Sequence, residues 1–179
     1  MTDFLFKQDV ADYDEHVAGL VEFENERQAR RLIMIPSESI APLAVRKLLG
    51  SSFQNIYAEG YPRPETRYQN EETIMDYAYQ LGRYRRHSDP RYYKGVEYID
   101  MLEALARRRA AELFAANGHV ADDLWVNVQP LSGAPANTAV YTALLKPGDA
   151  ILGMDLLHGG HLTHGAPVNR SGLVFKAYH

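Results

Sequence analysis

Leu124-Trp-Val-Asn-Val128, Ser132-Gly-Ala134, a stretch of helical period running to about Leu145, the turn Lys146-Pro-Gly-Asp149 and then Ala150-Ile-Leu-Gly-Met154 together decide the fold class. A short apolar run rich in β-formers and bounded by turn residues reads as a strand. Ser132 can cap the helix that follows, and Pro-Gly-Asp marks the turn into the next strand. Strand, helix and strand joined by so short a turn imply a parallel crossover, and hence an α/β sheet. Residues 172–177 read as another strand of that sheet. Ligands of open α/β sheets sit at the carboxyl ends of the strands. Two segments lie there: the Ser132-Gly133-Ala134 turn and the loop that leaves Met154.

That second loop reads His158-Gly-Gly-His-Leu-Thr-His-Gly165 and sets three imidazoles three residues apart among glycines. Imidazole can stack on a flat ring, move protons near neutral pH or ligate a metal. Zinc held by His158, His161 and His164 is the weaker of these uses. The Gly-Gly pair opposes a helix, the chain has no Cys, and no HExxH pattern accompanies the histidines. Some of these rings can equally serve as hydrogen-bonding caps of a turn. At the other segment, successive amides and the positive end of a helix dipole can hold a phosphate, and a plain Ser N-cap is the competing reading.

The chain as a whole has ordinary globular composition, with 46% hydrophobic and 23% charged residues, and a net charge of -4 gives no field to draw nucleic acid or an anionic membrane. No apolar run reaches the roughly 20 residues needed to span a bilayer, and the start lacks a secretory pattern. Zero Cys fits a cytoplasmic location. A charged helical pattern over 14–32 reads as an exposed arm, and 41–49 as a short helix closed by Gly50. Helices are expected over 71–86 and 96–116. The latter should carry an apolar stripe of Ile99, Leu102, Leu105, Ala106, Ala110, Leu113 and Phe114. Two aromatic loops, Tyr57-Ala-Glu-Gly-Tyr-Pro62 and Arg91-Tyr-Tyr-Lys-Gly95, flank the first of these helices.

The run Asn127-Val-Gln-Pro-Leu-Ser-Gly-Ala-Pro-Ala-Asn137, then Ala139-Val-Tyr-Thr-Ala-Leu-Leu145 and the histidine loop closely resemble serine hydroxymethyltransferase. Tyr57-Ala-Glu-Gly-Tyr-Pro62 and Arg91-Tyr-Tyr93 match two further motifs of that family, so the similarity runs from about Leu32 to the C-terminus. The resemblance implies the aminotransferase-like, fold type I architecture of pyridoxal-phosphate-dependent transferases. Residues 1–36 would form an N-terminal arm. Residues 37–179 would be the first part of the large cofactor domain, left incomplete, with a helical insertion at about 63–90. It implies interconversion of serine and glycine with tetrahydrofolate as the one-carbon acceptor, in a homodimer or tetramer that engages neither nucleic acid nor membrane.

By the same resemblance, His161 would stack on the pyridine ring of pyridoxal 5'-phosphate, with Ser132 and the Gly133 and Ala134 amides on its phosphate and Tyr57 nearby. Ser37 and Tyr93 would contact the amino-acid substrate. Glu59 would be the acid/base carboxylate beside the hydroxymethyl group and folate. In the family the two tyrosines and the glutamate reach into the neighbouring subunit's site. Ala134 stands where the family usually has Ser, and Ser39 where Asn is common. The lysine that carries the cofactor, the aspartate on its ring nitrogen and the arginine for the substrate carboxylate lie beyond His179 in the family. Lys176 is not assigned that lysine's role, and the chain is not expected to catalyse alone. Other readings are a threonine aldolase-like enzyme of the same fold and a non-catalytic dimerising fragment.

Overall fold

The computed structural model describes residues 7–179, which fall into two compact units that divide between Gln54 and Asn55. In the first, helix α1 (Glu15–Arg30) starts where the Asp14 carboxylate accepts from the amides of His16 and Val17. It is tied along its surface by Glu24–Arg27 and Glu26–Arg30 pairs. No residue of α1 is buried, as its charge pattern predicts for an exposed arm. Helix α2 (Leu43–Leu49) follows Pro42 and closes at Gly50, whose amide donates to the carbonyl of Arg46.

The second unit is built on α5 (Glu97–Phe114). Against it lie a 3₁₀ turn (Pro64–Tyr68) and two short helices, α3 (Glu71–Ile74) and α4 (Tyr77–His87). The expected single helix over 71–86 is therefore two. The Asp76 carboxylate captures the Tyr79 amide and caps a new helix, just as Asn70 captures Thr73 for the previous one. Arg85, Arg86 and His87 end α4 on its exposed side, where cations suit the negative end of the helix dipole.

The buried face of α5 is not the expected stripe. Asp100, Met101, Glu103, Ala104 and Ala111 are buried, whereas Leu113 and Phe114 are 79% and 73% exposed. The reason is Arg91, which is itself buried and which makes two carboxylates on this face tolerable. Its Nε donates to Asp100 at 2.5 Å and one Nη to Glu103 at 2.6 Å. Its other Nη reaches back to the carbonyls of Ala58 and Gly60 at 2.7 and 3.0 Å. Gly60 has φ +104, and a Cβ there would lie 3.2 Å from the Arg91 Cα, so the loop and the arginine approach as closely as they do only because position 60 is glycine.

The sheet is small and parallel. Strands β1 (Ala150–Leu152) and β2 (Lys176–Tyr178) pair with Ile151 opposite Ala177. Two expected strands take other forms. Residues 124–128 form no strand. Their carbonyls are claimed by side chains, Leu124 by Arg67 at 3.4 Å and Val126 by Arg107 at 3.0 Å, while Trp125 lies under the Arg67 guanidinium at 3.9 Å. Residues 170–174 form helix α7 (Arg170–Val174), because Asn169 captures the Ser171 amide, and the strand begins only at Lys176. Helix α6 (Gly133–Leu144) forms where the sequence places it. The observed architecture is thus mixed, mainly helical with one parallel strand pair. No helix among the described residues is long and apolar enough to cross a membrane.

Truncating Arg91 to Ala leaves Asp100 and Glu103 buried without a counter-charge, which costs about 3–5 kcal/mol. Against a total stability of about 5–15 kcal/mol, urea melts of Arg91→Ala should show the midpoint falling by about a fifth or more. A shift within experimental scatter would mean that the ion pairs are not formed.

Candidate functional site

Helix α6 opens with its donors uncommitted. Ser132 is in extended geometry and its hydroxyl makes no capping bond, so it stays available to a ligand. Ser132 and Gly133 are exposed, and a Cβ placed on Gly133 would meet no atom within 4 Å. Ala136 donates its amide to the Ser132 carbonyl, and Pro135 has none to offer. One hydroxyl and the amides of Gly133 and Ala134 therefore converge at the positive end of a twelve-residue helix, with no acidic side chain in its first turn. An anionic group such as a phosphate fits this donor set.

The histidine loop leaves the carboxyl end of β1 and folds into two 3₁₀ turns, Leu156–His158 and Leu162–His164. Gly165, at φ +108, ends it where a side chain would run into Ala177 of β2. The His161 Nδ1 accepts from the Thr163 amide at 3.2 Å and lies 2.7 Å from its hydroxyl. Thr163, buried at 3% exposure, accepts in turn from the Asn137 side-chain amide at 2.7 Å, and its carbonyl accepts from the Tyr141 hydroxyl at 2.9 Å. The hydrogen-bond direction is then fixed from Asn137 to Thr163 to Nδ1. The neutral ring that fits carries its hydrogen on Nε2, and the residue is exposed. Asn137 sits four residues into the helix from Gly133, about 6 Å along its axis. The imidazole is thereby tethered to the first turns of the helix that bears the phosphate-type donors.

The other two histidines differ. The His164 Nδ1 accepts from the His161 amide at 3.1 Å and its ring meets that of His161 edge-on at 6.0 Å. His158 is exposed, with Asp155 3.9 Å away. Among the described residues no group of three His, Cys, Asp or Glu is placed to hold a metal ion.

A second cluster gathers around Arg91. The Tyr57 and Tyr93 rings lie 5.3 Å apart, tilted by 34°, at 71% and 47% exposure. Glu59 is exposed in the same loop, its carbonyl accepting from the Tyr92 amide at 3.1 Å. Within this chain its carboxylate is open to solvent rather than enclosed by tyrosines. Gln129, three residues before Ser132, joins this cluster to the approach of α6. Its side-chain amide donates to the Gly60 carbonyl at 2.8 Å and to Glu103 at 3.0 Å. Asn127 likewise donates to the Tyr61 hydroxyl at 3.2 Å. Ser37 is in an exposed turn of the other unit.

Arg91, Glu103, Gln129 and Thr163 are the site-supporting residues that the sequence reading passed over. The signal for two of them was present. Asp100 and Glu103 stand three apart on one helix face, and an arginine precedes the tyrosine pair.

Replacing Thr163 by Val removes the hydroxyl between Asn137 and His161 and leaves a part-buried amide unpaired, at about 1–3 kcal/mol. Thr142→Val, whose hydroxyl only returns to the Thr138 carbonyl at an exposed position, should stay within about 0.5 kcal/mol. Urea midpoints of the two variants side by side check this; equal shifts would remove Thr163 as the tether.

The family profile described as serine hydroxymethyltransferase matches residues 10–89 and 85–179. Among curated relatives, the serine hydroxymethyltransferase of Prochlorococcus marinus (strain MIT 9301) is 43% identical over 172 residues, 96% of this chain and 33% of that protein. That of strain NATL1A is 46% identical over 166 residues, 93% of this chain and 32% of that protein. The chain spans about a third of the length of the curated relatives it matches.

Proposed function

Because this chain belongs to the serine hydroxymethyltransferase family, we propose that it supplies one wall of a pyridoxal 5'-phosphate site in a fold type I enzyme that interconverts serine and glycine with tetrahydrofolate. The observation that carries the reading is the run of hydrogen bonds from Asn137 through Thr163 to His161. It ties an exposed imidazole to a helix whose Ser132 hydroxyl and first amides are free for a phosphate. When bound, the cofactor's conjugated ring acts as an electron sink for bonds broken at the amino acid's α-carbon.

Each residue's part follows from its chemistry. Ser132 and the amides of Gly133 and Ala134 hold the phosphate. Alanine at 134 forgoes one hydroxyl contact, about 0.5–1.5 kcal/mol, and leaves the grip at that position to its own amide. His161 lies against the ring face as a neutral imidazole, adding contact area without a second full charge. Tyr57 assists at the phosphate, and Ser37 and Tyr93 contact the amino acid. Glu59 takes and returns a proton at the hydroxymethyl oxygen beside the folate, a role for which a carboxylate is suited once the site closes over it. The exposure of the Tyr57, Glu59 and Tyr93 cluster supports its use in a neighbouring subunit's site, in a homodimer.

Titrating the chain with pyridoxal 5'-phosphate and, separately, with pyridoxal tests the cofactor reading. The phosphate form should bind saturably, Ser132→Ala should weaken it about tenfold, and His161→Ala should weaken it about two- to tenfold. Equal binding of both compounds, or indifference to Ser132→Ala, would remove the phosphate cradle. In a longer protein carrying this chain, Glu59→Gln should lower kcat for serine about 10²–10⁴-fold with cofactor binding intact; unchanged turnover would take the acid/base role away from Glu59.

A further inference from the structure

One half-buried hydroxyl has no part in the proposed chemistry. Tyr84, on α4 in the segment 63–90, holds its hydroxyl 2.6 Å from Asp89 Oδ2 and 2.7 Å from Asp100 Oδ2. Asp89 and Asp100 are each 7% exposed. The other oxygen of Asp89 accepts the Arg91 backbone amide at 2.9 Å, and the other oxygen of Asp100 accepts the Arg91 Nε at 2.5 Å. One hydroxyl thus closes a ring of contacts around the arginine that holds the Ala58 and Gly60 carbonyls.

We propose that Tyr84 is a positioning residue: its hydroxyl, acting through Asp89 and Asp100, fixes Arg91 and thereby the loop that presents Tyr57 and Glu59. The inference rests on the functional reading only for what those two residues do; the mechanical link from α4 to the loop stands on geometry alone.

Hydrogen inventory gives the link its direction. A tyrosine hydroxyl has one hydrogen to donate, so two short contacts to carboxyl oxygens need a second hydrogen from one of the carboxyls. The two carboxyls are held unequally: the other oxygen of Asp100 receives the charged Arg91 Nε at 2.5 Å, whereas the other oxygen of Asp89 receives only the Arg91 backbone amide at 2.9 Å. Tyr84 keeps its own hydrogen, since burial and then the hydrogen bonds to Asp100 and Asp89 push its hydroxyl well up. Asp89 is therefore the carboxyl that depends most on the Tyr84 hydroxyl, and it is also the one that receives the Arg91 amide. Without the hydroxyl, one oxygen of a buried carboxylate loses its donor. The response available is for Asp89 to turn toward water, and this releases the backbone at Arg91. The neighbouring Tyr92 amide, bonded to the Glu59 carbonyl at 3.1 Å, reports that release.

Amide hydrogen exchange followed by NMR on the full 179-residue chain tests this with no cofactor or activity needed, so its outcome is separate from that of the functional reading. In Tyr84→Phe, which keeps the ring, protection of the Arg91 and Tyr92 amides should fall by about tenfold or more while that of α6 holds. Asp89→Asn removes the charge and offers an N–H to the tyrosine oxygen, so it should stay within about twofold of the parent. Tyr84→Phe combined with Asp89→Asn should regain most of the lost protection, a rescue that simple packing by the ring would not give. No local change in Tyr84→Phe, loss spread over the whole chain, or failure of the second substitution to restore protection would each overturn the proposal.

Discussion

One guanidinium organises the second unit. The Arg91 side chain is 1% exposed and spends its donors on four acceptors that are distant in sequence: Asp100, Glu103 and the carbonyls of Ala58 and Gly60. A buried charge of this kind persists only when its desolvation is offset by paired and hydrogen-bonded partners. Lysine has neither the planar fork nor the number of donors to serve both carboxylates and both carbonyls. Everything near the loop follows. Position 60 must be glycine, α5 must bury its acidic face, and Gln129 must reach over to Gly60 and Glu103.

From this hub the candidate site separates into two parts with different supports. Tyr57, Glu59 and Tyr93 stand on the arginine loop and point their chemistry outward into solvent. Ser132, Gly133, Ala134 and His161 stand on the start of α6 and the loop after β1, joined through Thr163. The first part lies open and the second has free donors. That division suits a site completed by other protein surface, in keeping with the proposed exchange of the tyrosine loop between subunits.

How much of this was legible in the sequence depends on how local the cause is. Helices α1, α2, α5 and α6 were readable to within a few residues, because periodicity, Asp14, Pro42 and Gly50 act within a turn of where they stand, although Ser132 begins α6 without the expected side-chain cap. The strand expected at 124–128 failed because β-propensity states only that a segment suits a pleated surface. Here Arg67 and Arg107 take the carbonyls that a partner strand would have used. The face of α5 was misjudged because carboxylates read as solvent-facing until the arginine that neutralises them is known. The histidine loop was recognisable from its spacing. Its tether was not, since Asn137 and Thr163 are 26 residues apart and nothing local joins them.

The most direct test of the arginine's place is the exchange of its own side-chain hydrogens with solvent in the folded chain, followed by NMR and assigned by the loss of the signal in Arg91→Lys. Buried and bonded to Asp100, the Nε hydrogen should exchange at least about 100-fold more slowly than that of a solvated arginine such as Arg30. An Nε hydrogen at position 91 that exchanges as fast as Arg30 would place the guanidinium in water and contradict the account at its root.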